Sequence, residues 1–343
     1  MPNGLKQFIF FLSVYLSSLL LCSLFIKMIL KRKTRGQVER DFALKSHMKK
    51  DGTPTMGGIA IVLSSILVSI IFNINNLNNS KYFGLIFVYF LYFLIGFIDD
   101  HLKIKLNNYE GLKGKYRLFF EAVSVFLAIP LINLYINNYT YIEIDLFKLI
   151  IPIGLSFIFI IIFVVVGISN SVNLSDGLDG LASGMMMCAL LPFIVISINK
   201  NELQIATLLI STLGSLTAFL MFNIHPAKIF MGDCGSLGLG ALISFCAIIL
   251  KKYLILLISC SFFIFETISV IIQVIYYKKT KKRIFLMAPF HHHLEKKGEP
   301  EYKIVMMCWL YGLVCSIICV IIEVIWWFYY LVMVLVIKVL KNI

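Results

Sequence analysis

Long, almost unbroken apolar runs follow one another along this chain, separated by short polar stretches. They lie near 8–30, 56–74, 82–98, 117–136, 147–169, 181–198, 203–222, 236–250, 253–277 and 304–336. A helix needs roughly 20 apolar residues to cross a bilayer core. The pattern therefore predicts an all-α, polytopic integral membrane protein with about ten transmembrane helices. The 236–250 run is short, and the last run is longer than one span requires, as a tilted helix would be. The first run is too long for the apolar core of a signal peptide and has no small-residue cleavage site after it, so it reads as a span. No linker or internal repeat divides the chain, which is expected to be a single transmembrane domain over 1–343.

Charge then orients the spans. The polar loops 31–55 and 278–303 each carry eight Lys or Arg residues, whereas the alternate loops carry few. By the positive-inside rule, loops 31–55, 99–116, 170–180, 223–235 and 278–303 face the cytoplasm and both termini lie outside. Composition agrees: 60% of residues are hydrophobic and 14% charged, against roughly 25% charged in soluble domains. The net charge of +13 sits between apolar runs, so it reads as topology and contact with anionic lipid rather than nucleic-acid binding. The eight cysteines lie mostly within apolar runs without a CxxC pair, as small buried side chains rather than a disulfide or zinc framework.

Every polar loop constellation falls on the cytoplasmic set of loops. Asp99-Asp100 ends an apolar run, where two adjacent carboxylates need a cation, a partner or water. On a helix they point about 100° apart and would serve different partners. Asn173, Asp176 and Asp179, spaced i, i+3, i+6, would share a face if helical; Gly177 and Gly180 would let a ligand approach the backbone. Asp233 stands in a Gly-flanked turn before an apolar run, with Gly235 and Ser236 resembling a phosphate seat at a helix start. His291-His292-His293 in the large basic loop suits phosphate or headgroup contact better than zinc. A basic, Gly-rich segment, Lys49 to Gly58, leads into the second span but lacks the Walker ending. Lys103, Lys113 and Lys115 are candidate phosphate contacts. Glu266 and Gln273 share one face of an apolar run, and an intramembrane Glu faces the protein interior. Carboxylates beside abundant Lys suggest Mg²⁺ handling phosphates.

The ordered set TPTMGG at 53–58, GFIDD at 96–100, NSVNLSDGLDGLA at 170–182, FMGDCGSLGLGA at 230–241 and APFHHHLE at 288–295 closely resembles the phospho-N-acetylmuramoyl-pentapeptide transferase family, of the polyprenyl-phosphate N-acetylhexosamine-1-phosphate transferase superfamily. The resemblance implies a ten-span homodimer in the bacterial inner membrane with a cytoplasm-facing cleft. It implies transfer of phospho-N-acetylmuramoyl-pentapeptide from its UDP carrier to undecaprenyl phosphate, giving lipid I and UMP in peptidoglycan synthesis, with Mg²⁺. It carries catalytic roles to Asp99, Asp100 and Asp233, and metal binding to Asp233 and Asp176. Substrate contact passes to Lys50, Lys115, Asn173, Asp176, Asp179, Asn223, Phe230, Gln273, His291, His292 and His293. Departures occur at Glu299, where the family has Trp, and at Met307-Cys308, where it has Arg-Phe. The rival readings are a UDP-N-acetylglucosamine-1-phosphate transferase of the same superfamily and, in another class, an anionic-lipid transporter. Transporters place polar groups at the membrane midplane, whereas these lie at one face.

Overall fold

The computed structural model describes residues 3–31, 52–76, 79–106, 111–132, 141–144, 149–152, 154 and 156–341. Twelve α-helices run through them: α1 Asn3–Lys31, α2 Gly58–Phe72, α3 Ser80–Leu106, α4 Gly114–Ala128, α5 Ser156–Leu174, α6 Leu181–Asn199, α7 Leu203–Asn223, α8 Asp233–Leu250, α9 Tyr253–Ser259, α10 Ser261–Thr280, α11 Phe290–Lys296 and α12 Glu301–Lys341. The chain is thus an all-helical, multi-pass membrane protein apart from one small hairpin. Eight of these helices (α1, α3, α5, α6, α7, α8, α10 and α12) are long and apolar enough to cross a membrane. The expected second and fourth spans, α2 and α4, have 15 residues each, or about 22 Å of helix, short of a ~30 Å bilayer core.

Three boundaries differ from the apolar pattern, each for a local reason. The run 117–136 stops being α-helical at Ala128 and tightens into a 3-10 turn at Pro130–Ile132, because proline supplies no amide and bars the helix ahead of it. The run 147–169 opens as a strand: Tyr141–Ile144 (β1) pairs antiparallel with Leu149–Pro152 (β2). Pro152 ends the strand, and the helix starts only at Ser156, after Gly154 turns with φ +55°. The run 253–277 breaks at Cys260 into α9 and α10. There the Ser261 hydroxyl donates to the Ile258 carbonyl at 2.7 Å, a local partner that competes with the helix ladder.

Helix α8 is the axis of the fold. It is apolar all round, every residue from Cys234 to Leu250 is buried, and it packs against α2, α3, α5 and α6. Such a helix can only sit in the interior. Small residues let its neighbours come close. A Cβ on Gly96 of α3 would stand 2.2 Å from the Asp233 carbonyl oxygen, and one on Gly240 would stand 2.5 Å from Ser169 Cα of α5. Buried serine hydroxyls bond to helix backbones or to other hydroxyls, as in Ser64–Ser215 at 2.7 Å and Ser69–Tyr82 at 2.8 Å.

At the bundle end away from the acidic motifs, two Lys–Glu pairs join separate parts of the chain. Lys252 meets Glu323 of α12 at 2.8 Å, and Lys81 meets Glu202 at 2.5 Å. Lys200 donates to the Leu250 carbonyl at 2.8 Å.

Candidate active site

The close α3–α8 approach at Gly96 brings the end of α3 against the start of α8. Asp99 and Asp100, 1% and 2% exposed, then converge with Asp233. One oxygen from each of the three carboxylates lies within 4.8 Å of the others. The two aspartates on α3 do serve different partners with their outer oxygens. Asp99 Oδ1 accepts from the Leu112 amide at 2.6 Å, and Asp100 Oδ2 accepts from the Cys234 amide at 3.0 Å. Their other function is shared, because the third carboxylate arrives from a different helix.

That Cys234 contact corrects the expectation of a phosphate seat at the α8 N-terminus. Gly232 is the cap, with φ +76°, a region glycine enters without strain. The amides of Gly235 and Ser236 both bind the Gly232 carbonyl at 3.1 Å. The first exposed amide is taken by Asp100, so the helix start is capped in trans by the acid of another helix.

Two cations enter the cluster. Lys103 Nζ stands 2.5 Å from Asp99 Oδ2, 3.1 Å from Asp233 Oδ2 and 3.9 Å from Asp100 Oδ1. Arg117 of α4 reaches Asp233 Oδ2 at 3.2 Å and Asn170 Oδ1 at 2.9 Å, and its Nε lies 3.7 Å from Glu121 Oε1. Asn170 in turn donates to Glu121 Oε2 at 2.6 Å. Three aspartates plus the fully buried Glu121 face two cations, so acidic groups outnumber cations in the site. Its donors are all oxygen, the set a hard ion such as Mg²⁺ takes. The residues present therefore fit a divalent cation, and Lys103 marks the point where positive charge is needed.

The acidic loop does not form one helical face. Helix α5 ends at Leu174, and Gly180 turns with φ +79°, so the three residues fan out. Asn173 donates to Ser236 Oγ at 2.9 Å and also meets Asp233. Asp176 accepts from the Gly232 amide; burial first, then the charges of Asp233 and Asp100, push its carboxyl up to about 7. Asp179 Oδ2 takes His225 Nδ1 at 3.0 Å and the Ala227 amide at 3.1 Å. The Asp179 amide donates to Glu301 Oε1 at 2.7 Å, and Glu301 Oε2 lies 3.4 Å from His225 Nδ1. This second group of three possible metal donors thus already latches the loop to the start of α12. Trp309 helps, donating its indole N–H to the Gly180 carbonyl at 3.2 Å.

Other candidates act as struts. Asn223, buried, accepts from the Gly180 amide and Ser183 at 3.1 Å and donates to the Ile229 carbonyl at 2.9 Å. Phe230 is half-buried, and its backbone joins the two Gly-rich motifs: its amide donates to the Pro54 carbonyl, and its carbonyl accepts from the Gly57 amide, both at 2.8 Å. Gln273 clamps the following segment by accepting from the Ile284 and Phe285 amides at 3.1 and 3.0 Å and donating to the Phe285 carbonyl at 3.1 Å. His291 and His292 lie against each other with ring centroids 4.2 Å apart and planes tilted by 56°, over Gly177. His293 Nδ1 accepts from the Leu286 amide at 3.0 Å, and its ring is held below its ordinary pKa by burial and then by Lys297. Lys115 is exposed at the start of α4 and lies outside the acid cluster; Lys50 falls outside the described residues.

Arg117, Glu121 and Glu301 were missed in the sequence. The first pair had a signal, an i, i+4 Arg–Glu couple inside an apolar run. Lys103, noted only as a candidate phosphate contact, is likewise i+4 from Asp99.

A helical bundle with acids, two cations and a histidine arm gathered at one end is the layout of a membrane-embedded transferase. Residues 82–251 match the family model described as Glycosyl transferase family 4. Residues 50–62 match the phospho-N-acetylmuramoyl-pentapeptide-transferase signature 1. Proteins bearing that transferase name in Bacillus velezensis and Bacillus subtilis are 39% and 40% identical over 324 and 323 residues, covering 93% of this chain and 99% of each relative. One in Bacillus cereus is 41% identical over 305 residues, 89% of this chain and 94% of that relative. The chain belongs to the phospho-N-acetylmuramoyl-pentapeptide transferase family.

Proposed function

We propose that this protein, as a single membrane domain of the bacterial inner membrane, transfers phospho-N-acetylmuramoyl-pentapeptide from its UDP carrier to undecaprenyl phosphate, releasing UMP and leaving lipid I. The observation that carries the reading is the convergence of Asp99, Asp100 and Asp233 with Lys103 and Arg117 at one end of the bundle. A phosphate oxygen of the lipid bonds to the sugar-bearing phosphorus; the phosphoanhydride bond breaks, and its electron pair leaves on UMP. Two anions must meet for this to happen, which requires fixed positive charge.

The chain's own groups divide the work. Asp99 ends a span, where a lipid phosphate with its tail in the bilayer must sit, and takes the phosphate's proton. Lys103 and Arg117 offset charge at the acids and on the substrate oxygens. Asp233, with Asp99, Asp100 and the neighbouring Asp176, would hold Mg²⁺, which when bound neutralises charge on the reacting phosphates. Asp100 fixes the start of α8 and therefore the direction of Asp233. Asn173, Asp179, Asn223, Phe230 and Gln273 shape the nucleotide-sugar side, and His291, His292 and His293 close over it, with Lys50 and Lys115 as outlying basic contacts. The basic loops place this end toward the cytoplasm and both termini outside; family membership supports a homodimer.

The test is a radiolabel transfer assay on purified protein with UDP-N-acetylmuramoyl-pentapeptide and UDP-N-acetylglucosamine offered separately, each with undecaprenyl phosphate. Lipid-linked product should form from the first donor alone and should stop in chelator. Turnover of only the second donor would move the protein to the rival transferase, and no product from either would end the enzyme reading.

A further inference from the structure

We propose that Glu266, an acid of α10 outside the aspartate cluster, is a positioning residue that acts through His291; the inference rests on the reading above that His291 meets the nucleotide sugar. Glu266 is the single acid of α10 and is 1% exposed. A carboxylate inside an apolar span is kept only where it has a partner or a task. Its partner is the first histidine of α11. The His291 amide donates to Glu266 Oε1 and Oε2 at 3.2 and 3.3 Å, and the imidazole Nδ1 stands 3.3 Å from Oε2.

The far side of the ring has no such support. His291 is 1% exposed, and neither of its ring nitrogens makes a hydrogen bond of good geometry. A buried polar atom left unmatched costs about 1–3 kcal/mol, so the orphaned edge marks where a ligand atom belongs. Nε2 is aimed at the acidic loop: a Cβ on Gly177 would lie 2.5 Å from it and 3.1 Å from His292 Nε2. Gly177 is glycine because the two rings occupy that space. Its neighbour Asp176 is tied to the Gly232 amide beside the acid cluster. An oxygen of the nucleotide sugar arriving at the edge of this ring pair would thus touch Nε2 on one side and face the reacting centre on the other. Glu266 grips the His291 backbone amide and lies 3.3 Å from the opposite nitrogen, placed to orient the ring when Nε2 meets its ligand, as a carboxylate does for a working imidazole. The contrast with His292 is instructive, since its Nδ1 lies 3.2 Å from Glu295, three residues along its own helix. His291 is gripped by another span.

The test measures kcat and KM for each substrate in full-length Glu266→Gln, His291→Ala and the double variant, with thermal unfolding in detergent as the folding control. Gln keeps an acceptor for the backbone amide and removes the charge. His291→Ala is expected to raise nucleotide-sugar KM about tenfold, with undecaprenyl-phosphate KM unchanged. Glu266→Gln should raise the same KM about threefold to tenfold, and the double variant should be no worse than His291→Ala alone, because residues acting as one unit are not additive. Effects that multiply would overturn the proposal and leave the His291 reading intact. Wild-type constants in His291→Ala would overturn the reading itself and the inference with it. Should Glu266→Gln not fold, Glu266→Asp, which keeps the charge but withdraws it by one methylene, is read the same way: its KM rise must vanish in the His291→Ala background, and a rise that persists there overturns the proposal.

Discussion

The two ends of the bundle treat charge in opposite ways. At one end two cations each meet one acid: Lys252 with Glu323 and Lys81 with Glu202. These pairs join helices and leave no charge over. At the other end Lys103 and Arg117 are shared among Asp99, Asp100, Asp233 and Glu121, and acids outnumber bases. A buried pair balanced one to one is an architectural device, neutral as a whole and replaceable by apolar side chains. A buried cluster with surplus negative charge is unstable by itself and persists where a cation or substrate completes it. The difference separates scaffold from chemistry more sharply than burial does, since each end holds buried charge.

The largest expected effect breaks the unbalanced end. Asp99→Asn should lower kcat by roughly 10²–10⁴-fold while nucleotide-sugar KM barely moves, because it removes proton-transfer help and little uniform binding. Steady-state transfer kinetics with each substrate titrated would check this, and loss of nucleotide-sugar binding at unchanged kcat would remove Asp99 from the lipid-phosphate side. The next test contrasts the two ends directly. Lys103→Ala and Lys252→Ala each leave buried acid without its cation, at a cost of about 3–5 kcal/mol. Both should lower the unfolding temperature in chelator, but excess Mg²⁺ should restore much of the loss only for Lys103→Ala. Equal rescue, or none, would remove the distinction. Replacing the whole far pair, Lys252→Met with Glu323→Leu, should return stability close to wild type and leave kcat alone.

Smaller effects sharpen the picture. The Asp176 carboxyl is raised to about 7 by burial and by Asp233 and Asp100. A raised acid is neutral in both folded and unfolded states at low pH. It costs stability as pH climbs past the ordinary carboxylate range, and the cost is complete above the raised value. Metal-free Asp176→Asn should therefore gain stability over wild type that is absent near pH 4 and full above pH 7, read by thermal unfolding across that range. The smallest effect is expected from Lys81→Ala. Its pair with Glu202 is partly exposed, and such pairs contribute about 0–1 kcal/mol, so unfolding should shift little and activity not at all.

Much of this was legible along the chain because lipid and water impose one-dimensional signals. Apolar length gave the helices, and the alternation of loop charge put the loop motifs in one set of alternate loops. The Asp99-Asp100 pair, the glycine-punctuated acidic loop, Asp233 and the histidine run were visible as polar groups that a span boundary does not keep without reason. Pro130 and Pro152 could have warned that two runs would not be helical throughout, but average hydropathy hides a single residue.

What the chain order does not contain is which motif meets which. Asp100 caps α8, 134 residues away, because Gly96 allows α3 and α8 to approach. The loop that seemed able to form one face sends Asn173, Asp176 and Asp179 to three partners, because α5 ends and Gly180 reverses the backbone. Gly177 reads as a flexible turn until the His291 and His292 rings are found above it. Glu266 reads as an anomalous acid until α11 folds back onto α10. Sequence determined the medium and the helices, since these depend on transfer free energies that act residue by residue. The geometry of the site was decided by close helix packing, which depends on which small residues coincide where two helices cross.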